Sequence, residues 1–175
     1  VSFEYDDIDI ASIFCWLDGS YCFLSPFINM RIFLILLTQL IFMKSYSQNE
    51  EASYFKNLTE EEKHVIVNKG TEPPFSGVYN MKTEFGVYHC RACKSPLYNS
   101  SDKFISNCGW PSFDDEIQGA IQRKKDSSSG LTRIEIICNN CCGHLGHVFE
   151  GEMMTDKNIR HCVNSISLEF IPSQE

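Results

Sequence analysis

Four cysteines of this chain fall in two C-x-x-C pairs, Cys90-Arg91-Ala92-Cys93 and Cys138-Asn139-Asn140-Cys141, far apart in sequence. Two thiolates spaced this way at the end of a strand can turn onto one ion, and two such knuckles supply the four sulfur ligands of a tetrahedral zinc site. With all four positions filled by protein, such a zinc is structural and leaves the chemistry to other residues. Two local disulfides or a thioredoxin-like redox pair are the other uses of these thiols, and a redox pair leaves the second knuckle unexplained.

Three further groups carry reactive side chains. Cys162 lies in Arg160-His161-Cys162-Val163-Asn164. Nearby cationic groups favour the thiolate, so Cys162 is a candidate nucleophile; taken alone, the stretch also fits a small thiol packed in a core. Cys108 and Trp110 lie in Ser106-Asn107-Cys108-Gly109-Trp110-Pro111-Ser112-Phe113, where glycine and proline impose an irregular loop. A thiol there could meet Cys162 and form a disulfide, or be buried beside a core tryptophan. His144 and His147 could serve as metal ligands, proton donors or polar core residues, and the metal role is weakened because the cysteines already complete a site.

These residues need strands and loops to hold them. After Asn164, Ile166, Leu168 and Phe170 alternate with Ser165, Ser167 and Glu169, which predicts a half-buried strand continuing from Cys162. Gly86–Cys90 and Arg133–Ile137 read as strands running into the two knuckles. Thr59-Glu60-Glu61-Glu62 matches a capping box, predicting a helix to Asn68 or Lys69 with Gly70 as its stop. Thr71–Tyr79, with two prolines, is a rigid loop that presents Phe75 and Tyr79 to a pocket or, more simply, to the core. Asp114–Gly130 reads as a solvated connection with a short helix near Asp115–Gln122.

The chain has 175 residues, enough for one domain with a real core plus a tail or targeting segment. With 43% hydrophobic and 22% charged residues it is globular, and its net charge of -8 argues against a nucleic-acid binder held by phosphate contacts. Met30-Arg31, the apolar run Ile32–Met43 and the small-x-small triplet Ser45-Tyr46-Ser47 have the three parts of a secretory signal peptide; a core helix is the other reading. The run is shorter than the roughly 20 apolar residues of a membrane span and is broken by Thr38 and Gln39, so no stable span is expected. The expected organisation is an upstream segment at 1–29, a signal peptide at 30–47, a flexible lead-in at 48–58 and a catalytic domain at 59–175. A secretory or secreted location follows if the signal is real, and a cytoplasmic one otherwise.

The run from Gly70 to Phe170 closely resembles the methionine-R-sulfoxide reductases, the MsrB family. The matching motifs are Gly70-Thr71-Glu72-Pro73-Pro74-Phe75-Ser76-Gly77, Cys90-x-x-Cys93, Cys108-Gly109-Trp110-Pro111-Ser112-Phe113, Cys138-x-x-Cys141, His144-Leu145-Gly146-His147-Val148-Phe149 and Arg160-x-Cys162-x-Asn164-Ser165. The resemblance implies a mainly β fold of two antiparallel sheets with short flanking helices, and one structural zinc on Cys90, Cys93, Cys138 and Cys141. It implies that Cys162 attacks the sulfur of R-epimer methionine sulfoxide in oxidised proteins or peptides and becomes a sulfenic acid. Cys108 then forms a disulfide with it, and thioredoxin or a similar dithiol recycles the enzyme. Trp110 would face the substrate methyl group, His144, His147 and Asn164 would bind or protonate its polar side, and Arg160 would support the thiolate, in a protein expected to be monomeric. Three features depart from the pattern or lack a role in it. Either Glu150 or Glu152 fills the family's acidic position, His161 stands where tyrosine is frequent, and Cys142 has no assigned role. A zinc-ribbon binding module without catalysis is the alternative; it accounts for the knuckles and leaves Cys108, Trp110, both histidines and Cys162 unexplained.

Overall fold

The computed structural model describes residues 26–128 and 130–173. The chain divides into two compact units, Val1–Tyr46 and Ser47–Glu175. In the first, residues 1–25 of the expected upstream segment lie outside the described residues. Helix α1 (Pro26–Tyr54) begins there and continues into the second unit, running through the expected signal peptide and its exit triplet. The side chains of Ile32 to Met43 are exposed. Among the described residues, no helix is long and apolar enough to cross a membrane.

The second unit is mainly β, built from two antiparallel sheets. The smaller joins β1 (Gly86–Cys90), β2 (Pro96–Asn99) and β9 (Leu168–Pro172) in the order β2-β1-β9. The larger contains β3 (Lys103–Phe104), β4 (Ser112–Phe113), β5 (Ile121–Asp126), β6 (Arg133–Cys138), β7 (His144–Glu150) and β8 (Ile159–Val163), in the order β3-β4-β8-β7-β6-β5. Tyr88, Leu97, Tyr98, Phe113, Ile136, Leu145 and Val163 are fully buried and form the core. Tyr98 stacks on Phe113 at 4.2 Å between ring centroids, and Tyr88 meets Phe113 edge-on at 5.1 Å. Paired rings of this kind add about 1 kcal/mol beyond their buried area.

Four expectations from the sequence are corrected. The strand expected to continue from Cys162 through Phe170 is two strands in different sheets, β8 and β9, joined by a 3-10 turn at Ser165–Ser167. That turn reverses the expected sides: Ser165 and Ser167 are buried, because Ser165 Oγ accepts the Tyr79 N–H at 2.9 Å and Ser167 Oγ donates to the His144 carbonyl at 3.0 Å. The connection expected as solvated, with a helix near Asp115–Gln122, contains β5, which pairs with β6 along all six residues. As an edge strand, β5 carries Lys124 and Lys125 into solvent without cost, which masks its strand character in the sequence. Helix α2 (Glu60–Ile66) has the expected capping box, with Glu62 N–H donating to Thr59 Oγ1 at 3.2 Å and Thr59 N–H to Glu62 Oε2 at 2.8 Å. It stops at Val67, earlier than expected, and Lys69, not Gly70, takes the left-handed backbone (φ 58°). Finally, the lead-in at 48–58 is helical through Tyr54, and Tyr54, Phe55 and Leu58 pack on or into the core.

Candidate active site and metal centre

The two knuckles share one hydrogen-bond pattern. The N–H after the second cysteine returns to the carbonyl of the first: Lys94 to Cys90 at 2.8 Å, and Cys142 to Cys138 at 2.9 Å. The N–H of each first cysteine bonds onward, Cys90 to the Ser95 carbonyl and Cys138 to that of Gly143. Lys94 and Cys142 both adopt φ near 60° (63° and 58°), so Cys142 is the turn residue of its knuckle, and its side chain is exposed. The four sulfur atoms of Cys90, Cys93, Cys138 and Cys141 all lie within 4.8 Å of one another, with Cys90–Cys141 and Cys93–Cys138 each at 3.6 Å. A tetrahedron with about 2.3 Å zinc–sulfur bonds has edges of about 3.8 Å, so this cluster could hold a metal ion and its donor set suits zinc. Thiols packed this closely cannot all ionise without a cation among them.

The second centre forms on β8, between β4 and β7. Cys162 has Ser112 of β4 and His147 of β7 as its cross-strand partners. Alternation along β8 puts Arg160 and Cys162 on one face and His161 on the other. His161 is fully buried among Tyr98, Arg123 and Glu116, and burial pushes its pKa down to about 4. It therefore gives Cys162 no cationic support, contrary to its place in the sequence. Arg160 does: it is buried, lies 4.6 Å over the Phe149 ring, and forks onto Glu152 at 2.7 and 2.9 Å. Its charge favours the Cys162 thiolate. Glu152, rather than Glu150, is thus the carboxylate facing Arg160.

Cys108 reaches the same point from its loop, with its sulfur 3.8 Å from that of Cys162. At this distance either thiol can donate a hydrogen bond to the other. The hydrogen bond from Cys162 draws Cys108 down to about 4, helped by the Ser106 and Ser112 hydroxyls, while the same bond and burial push Cys162 up against the pull of Arg160.

A cavity of about 130 Å³ opens over Cys162, lined by Trp110, Arg133, His147, Phe149 and Asn164 among others. His147 Nε2 donates to Asp126 Oδ2 at 2.9 Å. His144 is buried and is not among the lining residues; its Nδ1 lies 2.8 Å from Glu135, and its Nε2 has no partner among the described residues. Asn164 donates to the Leu145 carbonyl at 3.0 Å and accepts the Glu72 N–H at 3.1 Å, leaving one amide N–H uncommitted. Gly146 permits β7 to pass this close to β8, since a Cβ there would collide with the Cys162 carbonyl. Gly109 does the same for the loop: its φ of 99° and its contact with Pro74 leave no room for a side chain.

Glu72 is the functional residue that sequence reasoning left unassigned. Its carbonyl accepts the Trp110 indole N–H at 3.1 Å, and its carboxylate caps the turn after Asn164, accepting the N–H groups of Ser165 and of Ile166, the latter at 3.1 Å. Burial raises its pKa, and those two N–H groups oppose the rise. One loop residue thus ties together the indole, the asparagine and the end of β8. The available signal was an acidic residue beside two prolines, in a loop too rigid to be a solvated tail. In the same loop, Tyr79 packs on Tyr88 and Phe170, whereas Phe75 is exposed.

The SelR domain family matches residues 58–172. A peptide methionine sulfoxide reductase MsrB of Chromohalobacter salexigens is 42% identical over 133 residues, spanning 75% of this chain and all of that protein. Methionine-R-sulfoxide reductase B2, mitochondrial, of Rattus norvegicus is 43% identical over 141 residues, 75% of this chain and 80% of the relative. Peptide methionine sulfoxide reductase B3, chloroplastic, of Oryza sativa is 49% identical over 129 residues, 73% of this chain and 56% of the relative.

Proposed function

The chain belongs to the SelR-domain family of methionine-R-sulfoxide reductases, the MsrB family, and from that premise we propose that it reduces R-epimer methionine sulfoxide in oxidised proteins or peptides. The observation that carries the proposal is the pair of sulfurs, Cys108 and Cys162, 3.8 Å apart at a cavity bearing an indole and a carboxylate-paired histidine. In this reading the substrate methyl group rests against Trp110, and the sulfoxide oxygen faces His147 and the free amide N–H of Asn164. His147 protonates the oxygen, which makes the sulfur electrophilic. Cys162 attacks with Arg160 beside it, the thiol takes up the oxygen, and methionine leaves with Cys162 as sulfenic acid. Cys108 closes a disulfide and releases water. A dithiol carrier such as thioredoxin then reduces that bond by exchange. His144, away from the cavity, acts through its neighbours. One zinc on Cys90, Cys93, Cys138 and Cys141 would hold the fold and take no part in the chemistry. The domain works as a monomer in this reading.

Separated sulfoxide epimers test the proposal. The R epimer should be turned over with dithiothreitol and the S epimer left untouched. Cys162→Ser should abolish turnover, whereas Cys108→Ser should yield about one methionine per chain and then stop with thioredoxin. A folded, metal-loaded protein that reduces neither epimer would be the zinc-ribbon binding module instead, and normal recycling in Cys108→Ser would move the resolving role to Cys142.

A further inference from the structure

Beside Cys108 lie two hydroxyls that the reaction just described does not use. Ser106 Oγ is 3.0 Å from the Cys108 sulfur and 2.7 Å from Ser112 Oγ. Each hydroxyl has one proton to give. If the Ser106 proton points at sulfur, its oxygen must accept from elsewhere, and Ser112 O–H is the donor at hand; the Cys108 backbone N–H approaches the same oxygen at 3.4 Å. Ser112 is itself fully buried and fixed on β4 as the cross-strand partner of Cys162, so the chain of donors Ser112, Ser106, Cys108 starts from the most rigid part of the site. A side chain here must be small, must donate and must resist oxidation, and serine meets all three conditions.

We propose that Ser106 and Ser112 are positioning residues for disulfide formation, their coupled hydroxyls holding the Cys108 sulfur aimed at Cys162. The proposal rests on the reading in which Cys108 resolves the sulfenic acid. In that step the Cys108 sulfur attacks the Cys162 sulfur, the sulfur–sulfur bond forms and the sulfur–oxygen bond breaks. The Cys162 sulfur is reduced and the Cys108 sulfur oxidised by the same electron pair. The departing hydroxide takes the proton that Cys108 gave up, so one sulfenic acid and one thiol give one disulfide and one water. The low pKa of Cys108 has the Cys162 hydrogen bond as its first cause and the two serines next, and Arg160 is the cation that acts on both sulfurs. Once Cys162 is oxidised its thiol no longer donates, and Ser106, backed by Ser112, is the hydroxyl donor that remains. Lowering a thiol's pKa raises its ionised fraction but weakens each thiolate as a nucleophile, and the two effects largely cancel once the pKa falls below the ambient pH, so the serines act chiefly by aiming the Cys108 sulfur.

The test is a rapid-quench reaction with R-epimer substrate and no reductant, following methionine released and the state of the protein by mass. In Ser106→Ala and Ser112→Ala the methionine burst should keep its amplitude of about one per chain. Disulfide formation should slow about tenfold, the loss of one hydrogen bond to a charged group, with Cys162 sulfenic acid accumulating in a form that dimedone traps. Ser106→Thr, which restores a hydroxyl, should recover the rate. Ser106 is half-buried on a loop, so its variants carry the test even if Ser112→Ala fails to fold. Disulfide formation within about twofold of wild type in Ser106→Ala would overturn the proposal. Absence of a methionine burst in the wild-type protein would overturn the reductase reading instead, and the two failures are read from different products.

Discussion

Asp126 reaches His147 and Glu135 reaches His144, and the two carboxylates act differently on rings that look alike in the sequence. His144 is buried, and burial lowers its pKa against the opposing pull of Glu135, whose other oxygen is held by Lys69 at 2.7 Å. Burial thus disfavours its charged form, and its Nδ1 faces the carboxylate. His147 lines the cavity and is backed by Asp126, whose carboxyl is held well below the usual range by the Ser128 hydroxyl and N–H, then by His147 and Arg133. The Asp126 carboxylate accepts from Nε2 and so fixes the ring at the cavity, where the proposed proton transfer to the sulfoxide takes place. Asp126→Asn should therefore lower kcat for methionine formation roughly tenfold or more, the scale of one charge-assisted hydrogen bond, while KM moves less because Asp126 is not among the residues lining the cavity. Single-turnover rates with the R epimer check this, and an unchanged kcat would remove Asp126 from the proton path. Cys162, Cys108, Trp110 and the knuckles were legible because rare residue types recur there at meaningful spacing. Glu72, Asp126, Glu135, Ser106 and Ser112 were not, since common polar residues acquire their roles only through partners elsewhere in the fold; Glu72 and Asn164 are 92 positions apart.

The strands that run into the knuckles, β1 and β6, were legible from alternation ending in cysteine. The break between β8 and β9 was not, because Ile166, Leu168 and Phe170 keep the strand period while Glu72 caps a turn across it. Likewise β5 is hidden by charge that an edge strand tolerates. The knuckles have a consequence at this scale: Cys90 ends a strand of the three-stranded sheet and Cys138 ends a strand of the six-stranded sheet. A metal held by all four sulfurs would staple the two sheets together. Removing it leaves buried thiols that repel one another when ionised. Strong chelation, or Cys93→Ser, should thus lower the melting temperature by about 10 °C or more, since a structural zinc contributes several kcal/mol to folding. Calorimetry with and without chelator measures it, alongside metal content. A zinc-bearing protein whose Tm is indifferent to zinc removal would sink the staple.

At the scale of the whole chain, the family match begins at residue 58, and the compact unit carrying both centres begins at Ser47. The chain up to the start of that unit carries Met30-Arg31, an apolar run and the small-x-small triplet Ser45-Tyr46-Ser47 that straddles the boundary, and the described side chains from Ile32 to Met43 are exposed. An apolar stretch that is too short to span a bilayer yet is left in water suits recognition and removal better than residence in the working enzyme. We propose on these grounds that residues 30–47 are a secretory leader. The helical lead-in from Gln48 then becomes the N-terminal edge of the enzyme, with Tyr54, Phe55 and Leu58 already anchored on the core. A cut there would cost the domain little, because the anchoring residues all lie beyond it. The mature protein from secreting cells should begin near Gln48, as read by N-terminal sequencing. A truncation starting at Gln48 should keep wild-type turnover and melt within a few degrees of the longer chain. Secreted protein that still carries the Ile32–Met43 run would rule the leader out.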